Sequence, residues 1–453
     1  MTTPAVDIGR FRWYPCRMHL RALIVTALLV PLTMGSALGA DGRWTRASKL
    51  ERAGASYSTI SVDTSRRGAA VVGWITEANC CDGEGALSAR YRRSLRRGFS
   101  APVRLTRGGA RLPTTAITHR GDPLVAWNEG GAIRVAAGQP SGAWVIWTVA
   151  NKVSNVVSMS AGYNVDGTAT VAWVRQTAVG SPLVQSATAQ LDSSSATWRV
   201  EDGVTVPNGP VTLAVSESGT AIAAWPTPVG AVNYALRPAG RSWGDVATLA
   251  PAGNAVPATA VRLAIAPLGQ VVAAWFDEEA TVIKASMMIN PLNPEWDEPT
   301  TLTTSAAGLF GNLAVSIDNG AAVAWSGPCQ RGRQLVTAAH RAGSTGTWVP
   351  VRRPPPFNCA DSRSVVTSLG VLRGPRLVLL APTEAGSTGG RTLGAQGTVG
   401  GRWQRGALPA ARSVAALDAS GRVGLFVWSD PDRRTALRWR QYIAPRTPPP
   451  RRR

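Results

Sequence analysis

Residues 211–249 read VTLAVSESGTAIAAWPTPVGAVNYALRPAGRSWGDVATL, which is four short apolar runs joined by turns of Gly, Pro and Ser. Turn residues after every short run predict the four β-strands of one antiparallel unit, labelled A to D in chain order. The B run, AIAAW, is apolar at consecutive positions. A strand with one face in water would alternate, so this pattern predicts a strand that is covered on both faces.

The phrase that contains this B run recurs along the chain at intervals of 46–55 residues, as a turn Gly followed by a small apolar run. The runs end at Trp74, Trp127, Trp173, Trp225, Trp275, Trp325 and Trp428, with a degenerate copy ending at Leu380. Units stacked face to face around an axis would cover both faces of every B strand. We therefore predict an all-β fold, a single β-propeller with eight four-stranded blades, or seven if the Leu380 copy is not a blade.

The two ends of the repeat region predict how the ring closes. The segment RWTRASKL at 43–50 resembles a D strand but precedes the first A strand, whereas the last unit ends after a C strand, TALRWRQYIA at 435–444. An N-terminal strand that completes the last blade would seal the ring and remove an exposed edge.

The repeated units, which run like G-x-A-x-A-x-W, resemble those of secreted bacterial Trp-containing β-propeller repeat proteins, from about Trp44 to Tyr442. This resemblance implies a propeller and export, and it carries no functional residues. The chain is only loosely similar to sialidase-type propellers, because their Asp-box, S-x-D-x-G-x-x-W, is lacking. Its nearest approach is SIDNG at 316–320, where Trp325 falls too late.

The N-terminal region predicts export. Four arginines precede an uncharged stretch over 22–40 that ends in small residues, as in a secretory signal peptide, and Met18 is an alternative start. We expect residues 1–40 to be this signal, 41–443 the propeller and 444–453 a disordered Pro/Arg-rich tail, in a secreted or cell-surface protein. The four cysteines after the signal favour disulfides, with three connectivities open. They are Cys80, Cys81, Cys329 and Cys359.

The chain is strongly basic, with 48 Lys and Arg against 27 Asp and Glu and a formal net charge of +21. The excess is almost entirely Arg and, with abundant Ala, Gly and Val, is typical of codon bias, so we predict no specific nucleic-acid binding. Weak association with anionic surfaces through these arginines is expected, and it would weaken in high salt.

Charge also varies between the two predicted faces of the ring. The B–C and D–A loops share one face of a propeller, and the A–B and C–D turns share the other. Acidic residues collect in the B–C loops, and our candidate ligand-binding residues there are Glu77, Glu129, Asp277, Glu384 and Asp430. The C–D turn of the first unit, RYRRSLRRGF at 90–99, is basic. The sequence thus predicts one acidic face and one basic face.

Few other residues indicate a catalytic or ligand-binding role. We interpret the recurring Trp residues as core, and the acids near the A–B turns as turn residues, with Asx-type hydrogen bonding for the Asp members. These turn acids are Asp63, Asp166, Glu217, Asp318 and Asp418. His119 and His340 stand beside no nucleophile motif, and no zinc or phosphate-loop pattern is present. We predict no cofactor and no metal site, with Ca²⁺ on the acidic loops as the open alternative.

The favoured function is a monomeric extracellular binding or interaction scaffold for a glycan, a cell-wall polymer or a surface protein. The alternative is a sialidase-like glycoside hydrolase that uses a carboxylate pair drawn from Glu77, Asp277 and Glu279. Because propellers serve both roles, the fold alone leaves enzymatic activity open.

Overall fold

The structure is a computed structural model, and the chain divides into two units, Met1–Ala40 and Asp41–Arg453. Every described residue lies in the second unit, and none of the described residues forms a helix long and apolar enough to cross a membrane. The described residues are 43–45, 48–51, 56–77, 84–139, 142–191, 196–207, 209–251, 261–277, 282–303, 313–318, 320–330, 333–343, 345–351, 357–358, 368–372, 376–382, 392–398, 404–406, 415–420, 423–430 and 436–443.

The described strands form eight four-stranded antiparallel blades, in the order A-B-C-D from the axis outward. Blade 1 contains β3 (Ser56–Thr64), β4 (Ala70–Glu77), β5 (Gly85–Arg92) and β6 (Val103–Arg104). Blade 2 contains β7 (Ala110–Ile117), β8 (Pro123–Glu129), β9 (Ala132–Gly138) and β10 (Trp144–Ala150). Blade 3 contains β11 (Val156–Tyr163), β12 (Thr168–Gln176), β13 (Pro182–Gln190) and β14 (Arg199–Thr205). Blade 4 contains β15 (Thr212–Val215), β16 (Ala221–Pro226), β17 (Val232–Arg237) and β18 (Ala247–Ala250).

The second half of the chain continues the series. Blade 5 contains β19 (Val261–Ile265), β20 (Val271–Asp277), β21 (Val282–Met288) and β22 (Thr300–Thr303). Blade 6 contains β23 (Leu313–Ile317), β24 (Gly320–Gln330), β25 (Arg333–Ala342) and β26 (Trp348–Pro350), with β27 (Phe357–Asn358) also paired to β25. Blade 7 contains β28 (Ser368–Leu372), β29 (Arg376–Pro382), β30 (Thr392–Thr398) and β31 (Gln404–Gly406). Blade 8 contains β32 (Ala415–Ser420), β33 (Val423–Asp430) and β34 (Ala436–Ile443), completed by β1 (Arg43–Trp44) and β2 (Ser48–Lys49).

The inner strands form a closed ring. Each A strand contacts the A strand of the next blade, from β3 through β7, β11, β15, β19, β23, β28 and β32, and β32 contacts β3. This order confirms the predicted propeller. The degenerate copy that ends at Leu380 does form a blade, because Leu380 pairs with Ser368 of the inner strand in the same way as Trp74 pairs with Ile60.

The predicted closure is also confirmed. Trp44 of β1 pairs with Tyr442 of β34, and Ser48 of β2 pairs with Trp439. The next residues extend this seam towards blade 1, because the side chain of Leu50 is fully buried among residues of blades 1 and 8. Beside it the indole N–H of Trp74 donates to the Glu51 carboxylate at 2.5 Å. The N-terminal segment therefore both completes blade 8 and seals it to blade 1.

The recurring Trp side chains fill the spaces between neighbouring blades, as predicted. The seven that end the B strands are at most 4 % exposed. Trp275 of blade 5 packs in one cluster with Ile222 and Tyr234 of blade 4, and Trp74 of blade 1 packs with Leu425 of blade 8. The B strand of blade 4 is buried at all six positions, which confirms that both of its faces are covered.

We predict that Leu50→Ala lowers the free energy of unfolding by about 2–5 kcal/mol, because it leaves a cavity in the seam between blades 1 and 8. Leu292→Ala is the matched control: Leu292 is 62 % exposed, so its truncation should change stability by no more than about 0.5 kcal/mol. Urea unfolding followed by Trp fluorescence measures both. Equal effects of the two substitutions would contradict a stabilising role for the seam.

Candidate functional site

Four of the predicted site residues end B strands, where the chain enters the B–C loops. Glu77 ends β4, Glu129 ends β8, Asp277 ends β20 and Asp430 ends β33. The two whose side chains are described are each paired within their own blade. Glu129 forms an ion pair with Arg134 at 2.8 Å, and Asp277 forms one with Lys284 at 2.6 Å.

Glu129 has further partners that mark it as part of the blade. Its carboxylate accepts hydrogen bonds from the indole N–H of Trp127 at 3.2 Å and from the hydroxyl of Thr106. It therefore satisfies a buried Trp and links that Trp to the preceding loop. Glu129 and Asp277 lie on different blades, 2 and 5.

The remaining predictions fall outside what is described. Glu279, Glu384, Cys80, Cys81 and Cys359 lie outside the described residues, and the side chains of Glu77, Asp430 and Cys329 are not described. The disulfides, the hydrolase pair and a Ca²⁺ site on the B–C loops therefore stay predictions. Among the described residues, no three His, Cys, Asp or Glu side chains are grouped so that they could hold a metal ion.

A different part of the ring gathers polar side chains. A cavity of about 580 Å³ lies at the centre, at the end where the A–B turns meet. Its lining comes from the inner strands and A–B turns of blades 1–6 and 8. Four acids, Asp63, Glu217, Asp318 and Asp418, line it together with His119, Arg66 and Arg67. We call this cavity the channel mouth.

Polar side chains of the inner strands bind the backbone of the next blade. Ser61 accepts from the N–H of Thr115 at 3.1 Å, and Asp63 accepts from the N–H of Ile117 at 2.6 Å, each 54 residues further along. Asp418 closes the ring, since it accepts from the N–H of Thr64 at 2.7 Å and from the Thr64 hydroxyl at 2.5 Å.

The same type of bond joins two further pairs of blades: Ser160 accepts from Val215 N–H at 3.0 Å and Ser316 from Val371 N–H at 3.1 Å. Blades 3 and 4 approach very closely here, because a Cβ placed on Gly162 would lie 1.8 Å from the carbonyl oxygen of Ser216. Only glycine fits at that position.

Burial and charge act together on Asp63. Burial raises its pKa well above the ordinary range, and the nearby Asp418 carboxylate raises it further, while hydrogen bonds from the N–H groups of Ile117 and Thr64 oppose the shift. Asp63 therefore keeps its proton to a higher pH than an exposed aspartate does.

An ion pair and a histidine–carboxylate contact connect blades that are not neighbours. Arg66 of blade 1 binds Asp318 of blade 6 through Nε at 2.8 Å and Nη2 at 2.7 Å. Glu217 of blade 4 accepts from the backbone N–H of His119 of blade 2 at 3.0 Å, and its Oε1 lies 3.4 Å from His119 Nδ1. The Arg66 and His119 side chains are 46 % and 44 % exposed, so both remain accessible at the channel mouth.

The interpretation of the turn acids is correct only in part. Asp166 does form an Asx-type turn, because it accepts from the N–H of Thr168 at 2.9 Å. Asp63, Asp418 and Asp318 instead bind groups on other blades. The prediction of a basic face at this end is wrong for the centre of the ring, where four acids line the cavity.

One signal in the sequence could have revealed the site. Ser61-Val62-Asp63 and Ser316-Ile317-Asp318 place polar residues two apart, at the end of the inner strands of blades 1 and 6. Residues two apart share one face of a strand, and on an inner strand a shared polar face points to the channel or to the neighbouring blade.

No protein-family model matches the chain, and no curated protein matches its sequence. The structure is similar to the BP39L lectin from Burkholderia pseudomallei, with a TM-score of 0.52 and 16 % identity, covering 79 % of this chain and 100 % of that one. It is also similar to the WD40 domain of SCAP from fission yeast, with a TM-score of 0.50 and 12 % identity, covering 88 % and 98 %. These likenesses show the β-propeller fold, and the narrower resemblance to Trp-containing repeat proteins stays a prediction.

We predict that Asp63→Asn removes a pH-dependent loss of stability. A pKa that is raised in the folded state makes unfolding release a proton, so the free energy of unfolding falls as pH rises from about 4 towards the raised pKa, by up to about 1.4 kcal/mol per pH unit. The substituted amide has no proton to release, and its oxygen can still accept from the N–H of Ile117. Urea unfolding between pH 4.5 and 7.5 should therefore show a shallower decline for the variant.

The control is Asp166→Asn, which alters an exposed turn carboxylate and should keep the wild-type slope. Parallel pH profiles for wild type and Asp63→Asn would contradict the raised pKa.

Proposed function

We propose that this protein is an exported glycan-binding propeller, and that the channel mouth is where it binds the sugar. The observation that carries the proposal is the arrangement of accessible Arg66 and His119 beside the carboxylates of Asp318 and Glu217, above one central cavity. Guanidinium groups donate hydrogen bonds and carboxylates accept them. Together they can bind sugar hydroxyls, which both donate and accept hydrogen bonds.

The size and lining of the cavity agree with this ligand. Its volume, about 580 Å³, is within the ~300–1,000 Å³ of small-molecule sites. Leu268 in the A–B turn of blade 5 lines the cavity and is 71 % exposed, so it offers an apolar contact to the C–H face of a sugar. Hydroxyl donors and acceptors next to an apolar patch suit a neutral, hydroxyl-rich ring.

The B–C loops offer less in their described part. Glu129 of blade 2 and Asp277 of blade 5 are each paired within their own blade, with Arg134 and Lys284, respectively, whereas the channel mouth brings side chains of several blades around one cavity. The channel mouth therefore replaces the B–C loops as our proposed site. Export rests on the signal-like residues 1–40, and a lectin is among the solved structures with this fold.

We predict that the purified protein binds glycans on an array, and that Arg66→Gln combined with Glu217→Gln weakens the strongest interaction at least tenfold. These substitutions remove the guanidinium group and the carboxylate charge at the mouth while leaving the inner-strand hydrogen bonds intact. The control is Glu298→Gln, an exposed acid on blade 5, which should leave affinity unchanged. Titration calorimetry with the best glycan supplies the affinities.

Failure of the array to detect any glycan would refute the proposed function. Binding that survives the double substitution would refute the proposed place of binding.

Hydrolysis is a second candidate because the mouth contains a carboxyl with a raised pKa, Asp63, next to a second carboxylate, Asp418. A protonated acid beside a carboxylate is the pair that glycosidases use. Both groups are engaged with backbone N–H groups of inner strands, which favours a structural role and places this candidate second.

For this second candidate we predict turnover of fluorogenic glycosides, sialosides included, that Asp63→Asn reduces at least a hundredfold, since a lost general acid costs about 10²–10⁴-fold. Glu298→Gln should keep full activity. Absence of turnover by the wild-type protein across the panel would eliminate the hydrolase.

A further inference from the structure

A run of arginines occupies the C–D turn of blade 1, away from the channel mouth. Arg92, Arg93, Arg96 and Arg97 lie within six residues, at the end of β5 and in the turn that follows. Within the described part of the chain, none of the four is in an ion pair with a carboxylate. Cations this close repel each other, and an anion between them would remove that repulsion.

One of these arginines has a structural role. The Arg92 side chain points towards blade 8, where Nη1 donates to Gln441 Oε1 at 2.6 Å. Its guanidinium lies 5.2 Å from the ring centres of both Phe99 and Trp439. Burial lowers the pKa of Arg92 to about 10, which still leaves it charged near neutral pH. Arg92 therefore belongs to the seam that closes the ring.

Arg93 is the first residue after β5 and packs against Tyr91 rather than against blade 8. Its guanidinium lies 6.0 Å from the ring centre of Tyr91, and its Nη2 is buried with no hydrogen-bond partner. Tyr91 is itself held in place by an edge-to-face contact with Trp144 of blade 2, at 5.9 Å. This nitrogen is an unsatisfied donor, and an anion in the adjoining pocket would give it an acceptor once the Arg93 side chain turns towards that pocket.

These groups surround a small pocket between the C–D turns of blades 1 and 2. The pocket measures about 220 Å³, and Arg93, Arg97 and Ser100 line it without any acidic residue. Gly98 and Gly142 border it, and a Cβ on either would meet nothing within 4 Å, so the backbone leaves the entrance open.

We propose that this pocket is a binding site for a tetrahedral oxyanion, sulfate or phosphate, carried on a polymer, with Arg93 and Arg97 as the binding residues. Arginine donors match oxyanion geometry in a fork, which a diffuse positive surface does not provide. The site is separate from the proposed glycan site, because it shares no residue with the channel mouth.

The test must separate a built site from the general attraction of a protein with a net charge of +21. Arg93→Ala/Arg97→Ala is therefore compared with Arg104→Ala/Arg107→Ala, which removes two exposed arginines after the same turn. Both variants lose the same charge from the same blade. Fluorescein-labelled dextran sulfate and polyphosphate are titrated against each full-length protein by anisotropy, at 50–300 mM NaCl.

We expect Arg93→Ala/Arg97→Ala to weaken binding at 150 mM NaCl at least tenfold and Arg104→Ala/Arg107→Ala to weaken it less than threefold. The slope of log K against log [salt] should fall by about 2 for the first pair, by analogy with counterion release on polyanions. The ratio of the two probes distinguishes a sulfate from a phosphate ligand. Equal losses for both pairs would overturn the proposal.

A second measurement covers the case in which the double variant folds poorly. Inorganic sulfate at 10 mM should raise the Tm of the wild-type protein above that in NaCl of equal ionic strength. Arg97→Ala alone, which changes an exposed side chain, should abolish this difference. A sulfate effect that persists in Arg97→Ala would overturn the site.

Discussion

The unpaired edge of each inner strand is the constraint on which the rest of this propeller depends. An inner strand pairs with its B strand on one side, and its other edge faces the channel and the next blade. Backbone N–H groups there cannot be left without acceptors. Short polar side chains of the preceding blade supply these acceptors, as Asp63 does for Ile117 and Asp418 for Thr64. The same bonds tie consecutive blades together around the ring.

This constraint also accounts for the polar centre of the molecule. Acceptors that reach a neighbouring inner strand must lie near the axis, so polar side chains line part of the channel wall before any ligand is considered. Asp63 and Asp418 are committed to this task, which is why their proximity alone is weak evidence of catalysis. Arg66, His119 and Glu217 differ, because they extend from turns and connect blades that are not adjacent. Binding is therefore assigned to these turn residues.

The fold could be predicted because its main stabilising feature repeats. Seven of the units bury a Trp side chain at one position, and a small apolar run precedes it, so the period is visible in the sequence. The closure was predictable from a D-like strand that has no blade of its own at Trp44. The channel mouth could not be predicted, because its hydrogen bonds join residues that are far apart in the chain: Thr64 and Asp418 are 354 positions apart. From the sequence alone, a local turn interaction accounts for Asp63 as well as it does for Asp166. The ring shows the difference, because Asp166 binds its own turn and Asp63 binds the next blade.

The distribution of charge around the ring restricts what can bind where. At the A–B end, four acids line the centre, and the arginines of blade 1 lie on the rim. An anionic group is attracted to that rim, whereas at the centre Arg66 and Arg67 offset only part of the carboxylate charge, and a neutral sugar is repelled by neither. A polymer that presents neutral hydroxylated residues and carries sulfate or phosphate further along its chain matches this pattern. A small anionic sugar matches only the rim, so the charge arrangement by itself favours a long ligand over a short one.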